Sequence, residues 1–189
     1  MLKTFVVYVE NKPGVLTRVS SLFRRRAFNI DSLTVGRTEK PEVSRMTITV
    51  DADRDQARRI EANLYKLVNV LLVEDITEEP AITRDLAMIK VAAQHDQRSH
   101  VLQLANVFRA RVVDVAPESL ILEITGGEDK IDGLLEVLHP FGILEMVRTG
   151  IVGMRRGAKS SAVPSTEDLD EVIAESIDDE GQDINANQG

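Results

Sequence analysis

Apolar and polar positions change period along the chain in a set order, and that order is used twice. FVVYV (5–9) is a short apolar strand. From about 14 to 27, Val15, Leu16, Val19, Leu22 and Phe23 recur at helical spacing and predict an amphipathic helix. Strand patterning follows over about 29–37 and, in VSRMTITVD, over about 43–51, with Glu39, Lys40 and Pro41 marking the turn between them. Ala57, Ile60, Leu64 and Leu67 share one face of a second helix over about 54–67. Asp53 followed by Gln56 is the pattern of a capping box at its start. NVLLVEDIT (69–77) closes the set as a strand.

EEPAI (78–82) reads as a linker, because Pro80 and the local charges interrupt the pattern. The order then recurs. LAMIKVAA (86–93) alternates as a strand, and Val101, Leu104, Ala105 and Phe108 mark a helix over about 97–109. RVVDVA (111–116) and SLILEITG (119–126) read as a hairpin about Pro117-Glu118. Ile131, Leu134, Leu135 and Leu138 face inward from a helix over about 128–138, and ILEMVRTGIVGM (143–154) ends the fold as a strand. The expected fold class is α+β: two tandem ferredoxin-like βαββαβ domains, over 1–78 and 84–157, each an antiparallel sheet backed by two helices. Residues 158–189 form an acidic tail. Within it Leu169, Val172, Ile173 and Ile177 suggest a short amphipathic helix, and the segment from Gly181 onward is expected to be disordered.

Charge sharpens this division. The net charge of −8 equals that of 158–189 alone, where Lys159 faces nine acids, so the two predicted domains together are neutral. A neutral body gives no support for nucleic-acid binding through a basic field. Base stacking on a βαββαβ sheet needs aromatics on the central strands. Here Phe5 and Tyr8 lie at mixed parity in the first strand, and VSRMTITV has no aromatic. Absence of cysteine rules out disulfides, thiolate metal sites and cysteine nucleophiles. With neither a signal-peptide pattern nor an apolar run long enough to cross a bilayer, a cytoplasmic protein is expected, with no membrane association. No catalytic constellation stands out, and His95, His100 and His139 lack metal-ligand spacing, so neither a catalytic residue nor a metal ligand is assigned. GIVGMRRG (150–157) follows a strand without opening an apolar helix, which makes it a poor phosphate loop.

The informative stretch is NKPGVLTRVSSLFRRRAFNIDSL, residues 11–33. Pro13 fits a first helical turn, and Gly14 lets a ligand approach the backbone closely. Unpaired N–H groups at the positive end of the helix dipole suit a small anion such as a carboxylate. Asn11 and Asn29 each add an amide donor and acceptor. A polar turn that merely caps its helix is the competing reading. With strand order 4-1-3-2, the strand from Asn29 is an edge, and pairing with the same strand of a second copy would bring Asn29 and Ile30 near the other chain's 11–16 turn.

NKPGVLTRVSSLFRRRAFNIDSLTVG, followed by SRMTITV and YKLVNVLLVEDI, resembles the N-terminal ACT domain of the regulatory (small) subunits of acetolactate synthase, also called acetohydroxyacid synthase. FRARVVDVAPESLILEITGGEDKIDGLLEVL and RTGIVGMRRG resemble that family's C-terminal domain, so the likeness spans 1–157 and leaves out the tail. It implies a homodimer, joined through its ACT domains, that binds a separate catalytic subunit, raises its activity and confers feedback inhibition by valine or another branched-chain amino acid. Thiamine diphosphate, magnesium and often FAD would belong to that partner, and no cofactor to this chain. The positions matching the family's effector site are Asn11, Gly14, Val15 and Leu16 of one chain with Asn29 and Ile30 of its neighbour. The alternatives are a free-standing ACT-type amino-acid sensor acting on another enzyme or on transcription, and an enzyme of the ferredoxin-like class with a site of unrecognised type.

Overall fold

The computed structural model describes residues 1–157; the predicted tail helix and the polar segment after Gly181 lie outside the described residues. The chain runs β1 (Leu2–Glu10), α1 (Val15–Arg25), β2 (Ile30–Arg37), β3 (Val43–Asp51), α2 (Arg54–Leu64), β4 (Val70–Asp75), β5 (Ala81–Ala92), α3 (Arg98–Val107), β6 (Arg111–Val115), β7 (Ser119–Gly126), α4 (Glu128–Leu138), β8 (Ile143–Arg148) and β9 (Val152–Arg155), with a 3₁₀ turn over His139–Phe141. The strands form two antiparallel sheets of the same topology, β2-β3-β1-β4 and β6-β7-β5-β8, each backed by two helices. This is the expected α+β fold of two tandem ferredoxin-like units.

Each sheet buries one face against its helices. In the first, Phe5, Val7 and Val9 of β1 and Met46, Ile48 and Val50 of β3 meet Val15, Val19, Leu22 and Phe23 of α1 and Ala57, Ile60 and Leu64 of α2. In the second, Ala87, Ile89 and Val91 with Leu120, Leu122 and Ile124 meet Val101, Ala105, Ile131, Leu134 and Leu138. Burying each large side chain contributes about 1.5–3 kcal/mol, which makes these clusters the main source of stability. Asp53 and Gln56 form a complete capping box at α2, each side chain bonding the other's backbone N–H at 2.8 Å.

The helices start and stop within the predicted spans, but three details differ. α1 begins at Val15 with Gly14 as its N-cap, so Pro13 lies outside the helix rather than in its first turn. Leu16, predicted on the inward face, is 44% exposed, because the face that meets the sheet is carried by Val15, Val19, Leu22 and Phe23. EEPAI is only partly a linker, since β5 already begins at Ala81.

The last difference organises the whole molecule. β5 is 12 residues long, and Ile143 to Arg155 runs antiparallel beside it for almost its full length. The far half of this ribbon, from Asp85 and with β8, belongs to the second sheet. Its near half pairs Ala81–Arg84 with β9 and lies over the face of the first sheet that no helix covers. There Arg45 donates to the Gly153 carbonyl, and Arg155 bridges Glu74 at 3.2 Å and Glu79 at 2.8 Å. Val6, Thr47 and Thr49, which point away from the helices, are no more than 2% exposed.

Between the halves of the ribbon is a bulge. Thr149 N–H bonds the Leu86 carbonyl at 3.0 Å, and Val152 is already opposite Arg84. Gly150 and Ile151 therefore share Asp85 as their one counterpart. Gly150 has φ +88°, a left-handed conformation that glycine adopts without penalty. A bulge bends its strand and increases the local twist, which is how the ribbon turns from one sheet to the other.

Candidate functional site

The turn between β1 and α1 is stitched on three sides. Asn11 N–H bonds Glu42 O at 2.6 Å, its side-chain amide donates to Pro41 O at 2.9 Å, and its Oδ1 accepts from Ser44 Oγ at 3.1 Å. Asn11 thus clamps the turn to the β2–β3 connection and keeps one amide hydrogen for anything bound outside. Lys12 pairs with Glu10 at 2.8 Å, Asn69 Nδ2 also donates to Glu10, and Arg18 Nη1 donates to Asn69 Oδ1 at 2.6 Å. Hydrogen bonding from Lys12, helped by Asn69 and the Arg18 charge, lowers the Glu10 pKa despite its burial. The Glu10 carboxylate beside the turn is thus paired rather than free, and the turn sits at the positive end of the α1 dipole.

Gly14 takes φ +84° and ψ −9°, and no side chain caps α1. Val15 N–H spends itself weakly on Lys12 O at 3.4 Å, and Arg18 N–H on Gly14 O. The Leu16 and Thr17 amides have no intrahelical acceptor, as in any first helical turn. Val15 is buried while Leu16 is exposed beside those amides. The turn therefore combines outward N–H donors at a positive helix end with an apolar side chain, an arrangement complementary to an α-amino acid carboxylate and its aliphatic chain.

Asn29 and Ile30 are not part of this cluster within one chain. They open β2 at the far end of α1, a helix of 11 residues and so about 16 Å long. The register agrees: Ile30 is opposite Val50, which pairs Lys3, whereas Asn11 follows Glu10 at the other end of β1. Asn29 is exposed, and Ile30 is half-buried against the first core. β2 is an edge of the first sheet, with Val35 42% exposed. Within one chain the two halves of the sequence-predicted site therefore do not meet.

A second locus joins residues to which the sequence pattern assigns no role. Ile151 N–H donates to Ser32 Oγ at 3.0 Å, and Thr34 Oγ1 donates to Thr149 O at 3.2 Å. Behind them Asp85, 3% exposed, accepts from Arg148 Nε at 2.6 Å and lies 3.2 Å from Thr149 Oγ1, and Arg148 Nη1 reaches Asp132 at 2.9 Å. Burial works against the Arg148 charge, but Asp85 and Asp132 more than offset it and raise its pKa. The three glycines of 150–157 were the available signal, though only the structure shows one of them forming a bulge. Among the described residues no group of His, Cys, Asp and Glu side chains is placed to hold a metal ion, and no helix is long and apolar enough to cross a membrane.

Paired ferredoxin-like units, the first with a glycine turn opening its first helix, have the architecture of tandem ACT-type domains. An AHAS small subunit-like ACT domain model matches residues 5–72, and a small subunit of acetolactate synthase model matches 84–157. A probable acetolactate synthase small subunit of Archaeoglobus fulgidus is 48% identical over 159 residues, which is 84% of this chain and 99% of that protein. The acetolactate synthase small subunit of Mycobacterium bovis is 49% identical over 156 residues, 82% of this chain and 93% of that one. The crystal structure of the acetolactate synthase small subunit from Thermotoga maritima superposes with a TM-score of 0.78 at 38% identity, covering 84% of this chain and 99% of that one. The chain belongs to the acetolactate synthase small-subunit family. That membership carries a regulatory role in branched-chain amino acid biosynthesis.

Proposed function

We propose that the chain binds the catalytic subunit of an acetolactate synthase, raises its activity and makes it sensitive to valine or a related branched-chain amino acid. The carrying observation is the uncapped start of α1 at Gly14, where donors, positive field and an exposed Leu16 coincide. In this reading two copies pair through β2. The effector carboxylate takes the amides at 14–16 of one protomer, Asn11 and the neighbour's Asn29 serve its polar groups, and Val15, Leu16 and the neighbour's Ile30 line its side chain. Thiamine diphosphate, magnesium and FAD are the catalytic partner's, as the family likeness implies. Inhibition then needs the effector to bind the less active arrangement of the complex more tightly, typically by 1–3 kcal/mol.

Mixing the full chain with its catalytic subunit and measuring acetolactate formation with and without valine tests this. Stimulation by the chain together with valine-dependent loss of it is expected. A chain that neither stimulates nor responds would refute the reading. Removing everything after Glu79 is a poorer test, because it strips the ribbon from Val6, Thr47 and Thr49 as well as deleting the second sheet.

A further inference from the structure

We propose that the Gly150–Ile151 bulge is the coupling element that carries effector occupancy from β2 to the second sheet; this rests on the effector reading above. Asn29 and Ile30 lead directly into β2, and two residues further on Ser32 receives the Ile151 N–H. β2 has an irregularity of its own in this stretch, between Ile30 and Ser32, where Asp31 is the extra residue against β3. The bulge at Asp31 thus offsets Ile30 from the regular ladder, which runs from Ser32 to Arg37. Two bulges face each other, one from each sheet.

The contact between them is close. A Cβ on Gly150 would fall 2.4 Å from Ser32 Oγ and 3.1 Å from Thr34 Oγ1. Ser32 Oγ thus occupies the space that any side chain at position 150 would need, and it holds the bulge through the Ile151 N–H bond. Behind the bulge a continuous polar chain leads away from β2, from Thr149 to buried Asp85, from Asp85 to Arg148, and from Arg148 to Asp132 on α4. Beside it is a cleft of about 440 Å³, with Asp31 and Ser32 on one wall and Glu128 and Arg148 on the other. The cleft provides space for the walls to close or part while the Ser32–Ile151 bond acts as their pivot. Only Asp85 in this polar chain is buried, so breaking its link to half-buried Arg148 leaves an uncompensated carboxylate inside, and that link is the one that holds the arrangement.

The test uses the full chain with its catalytic subunit and the variants Ser32→Ala and Gly150→Ala. Valine, leucine and isoleucine binding to the chain is measured by calorimetry, and acetolactate formation with and without the same amino acids is followed in parallel. Hydrogen exchange over residues 143–155 is recorded with and without valine. In the unaltered chain, valine is expected to change exchange at 149–155. In Ser32→Ala, binding and stimulation should stay within about threefold, while the valine concentration for half-inhibition rises at least about fivefold, the lower end of ordinary allosteric coupling, and the exchange response at 149–155 disappears. If Gly150→Ala does not fold, Thr34→Val replaces it. Variants that bind valine and are inhibited like the unaltered chain overturn the coupling role, as do variants that lose binding itself. An unaltered chain that binds none of the three amino acids instead overturns the effector reading beneath it.

Discussion

Gly14 offers the sharpest test of the effector turn, because its backbone conformation and its open surroundings separate charge from shape. A Cβ built there meets nothing within 4 Å, and φ is +84°. Gly14→Ala and Gly14→Asp therefore fit sterically, and both bear the cost of a left-handed residue, about 1–2 kcal/mol. For a chain of this size that lowers Tm by about 2–8 °C in each variant. Only the aspartate adds a charge. A carboxylate about 5 Å from the bound effector carboxylate opposes it by about 1–3 kcal/mol at effective dielectric constants between those of water and a protein surface. The new carboxylate is also itself an anion for the Leu16 and Thr17 amides. Effector affinity should fall about fivefold to 150-fold in Gly14→Asp and by no more than about twofold in Gly14→Ala. Calorimetric titration with valine checks the affinities, and the acetolactate assay checks the loss of inhibition. Raising ionic strength from 0.1 to 1 M shortens the screening length from about 10 to 3 Å and should recover part of the aspartate's deficit. Equal loss in the two variants would show that backbone shape, not charge, governs the turn. A folded Gly14→Asp chain with undiminished inhibition would remove the turn from the site altogether.

Three further outcomes follow from contacts elsewhere. Asp85→Ala leaves Arg148 with Asp132 alone and should cost about 1.5–3 kcal/mol in urea unfolding, the value of a hydrogen bond to a charged group; Asp132→Ala, at an exposed partner, should cost under about 1 kcal/mol. Asp53→Ala removes the capping box of α2 and should destabilise the first unit by about 0.5–2 kcal/mol, read as a lower Tm. Because the Glu10 pKa is lowered in the folded chain, the unfolded chain binds the proton more readily. Glu10 thus contributes stability above the ordinary glutamate value, about 4.3, and this is lost as pH falls through the folded value. Glu10→Gln should therefore flatten the fall in stability below about pH 4.3 in acid unfolding, and an unchanged acid limb would contradict that assignment.

Much of the architecture was legible in the sequence, because the periods of helix and strand are local properties. The spacing of Val15, Val19, Leu22 and Phe23 announces α1 and its buried face, alternation in VSRMTITVD announces β3, and Asp53 with Gln56 announces the start of α2. The sequence also names Asn11 and Asn29 side by side as candidates, but only the fold shows that they lie at opposite ends of one sheet. What the chain order could not state is which surface covers which. Alternation says that Val6, Thr47 and Thr49 share a face but not that β5 and β9 bury it, and it gave Ser32 and Thr34 no role. Leu16 lies at the edge of the apolar stripe and faces outward, because the sheet takes the face carried by Val15, Val19, Leu22 and Phe23, and no local pattern says where that stripe ends. The bulge at Gly150 is invisible in a pattern for the same reason. It depends on the register between β5 and a strand some 60 residues later, and register is set by long-range packing rather than by neighbouring residues.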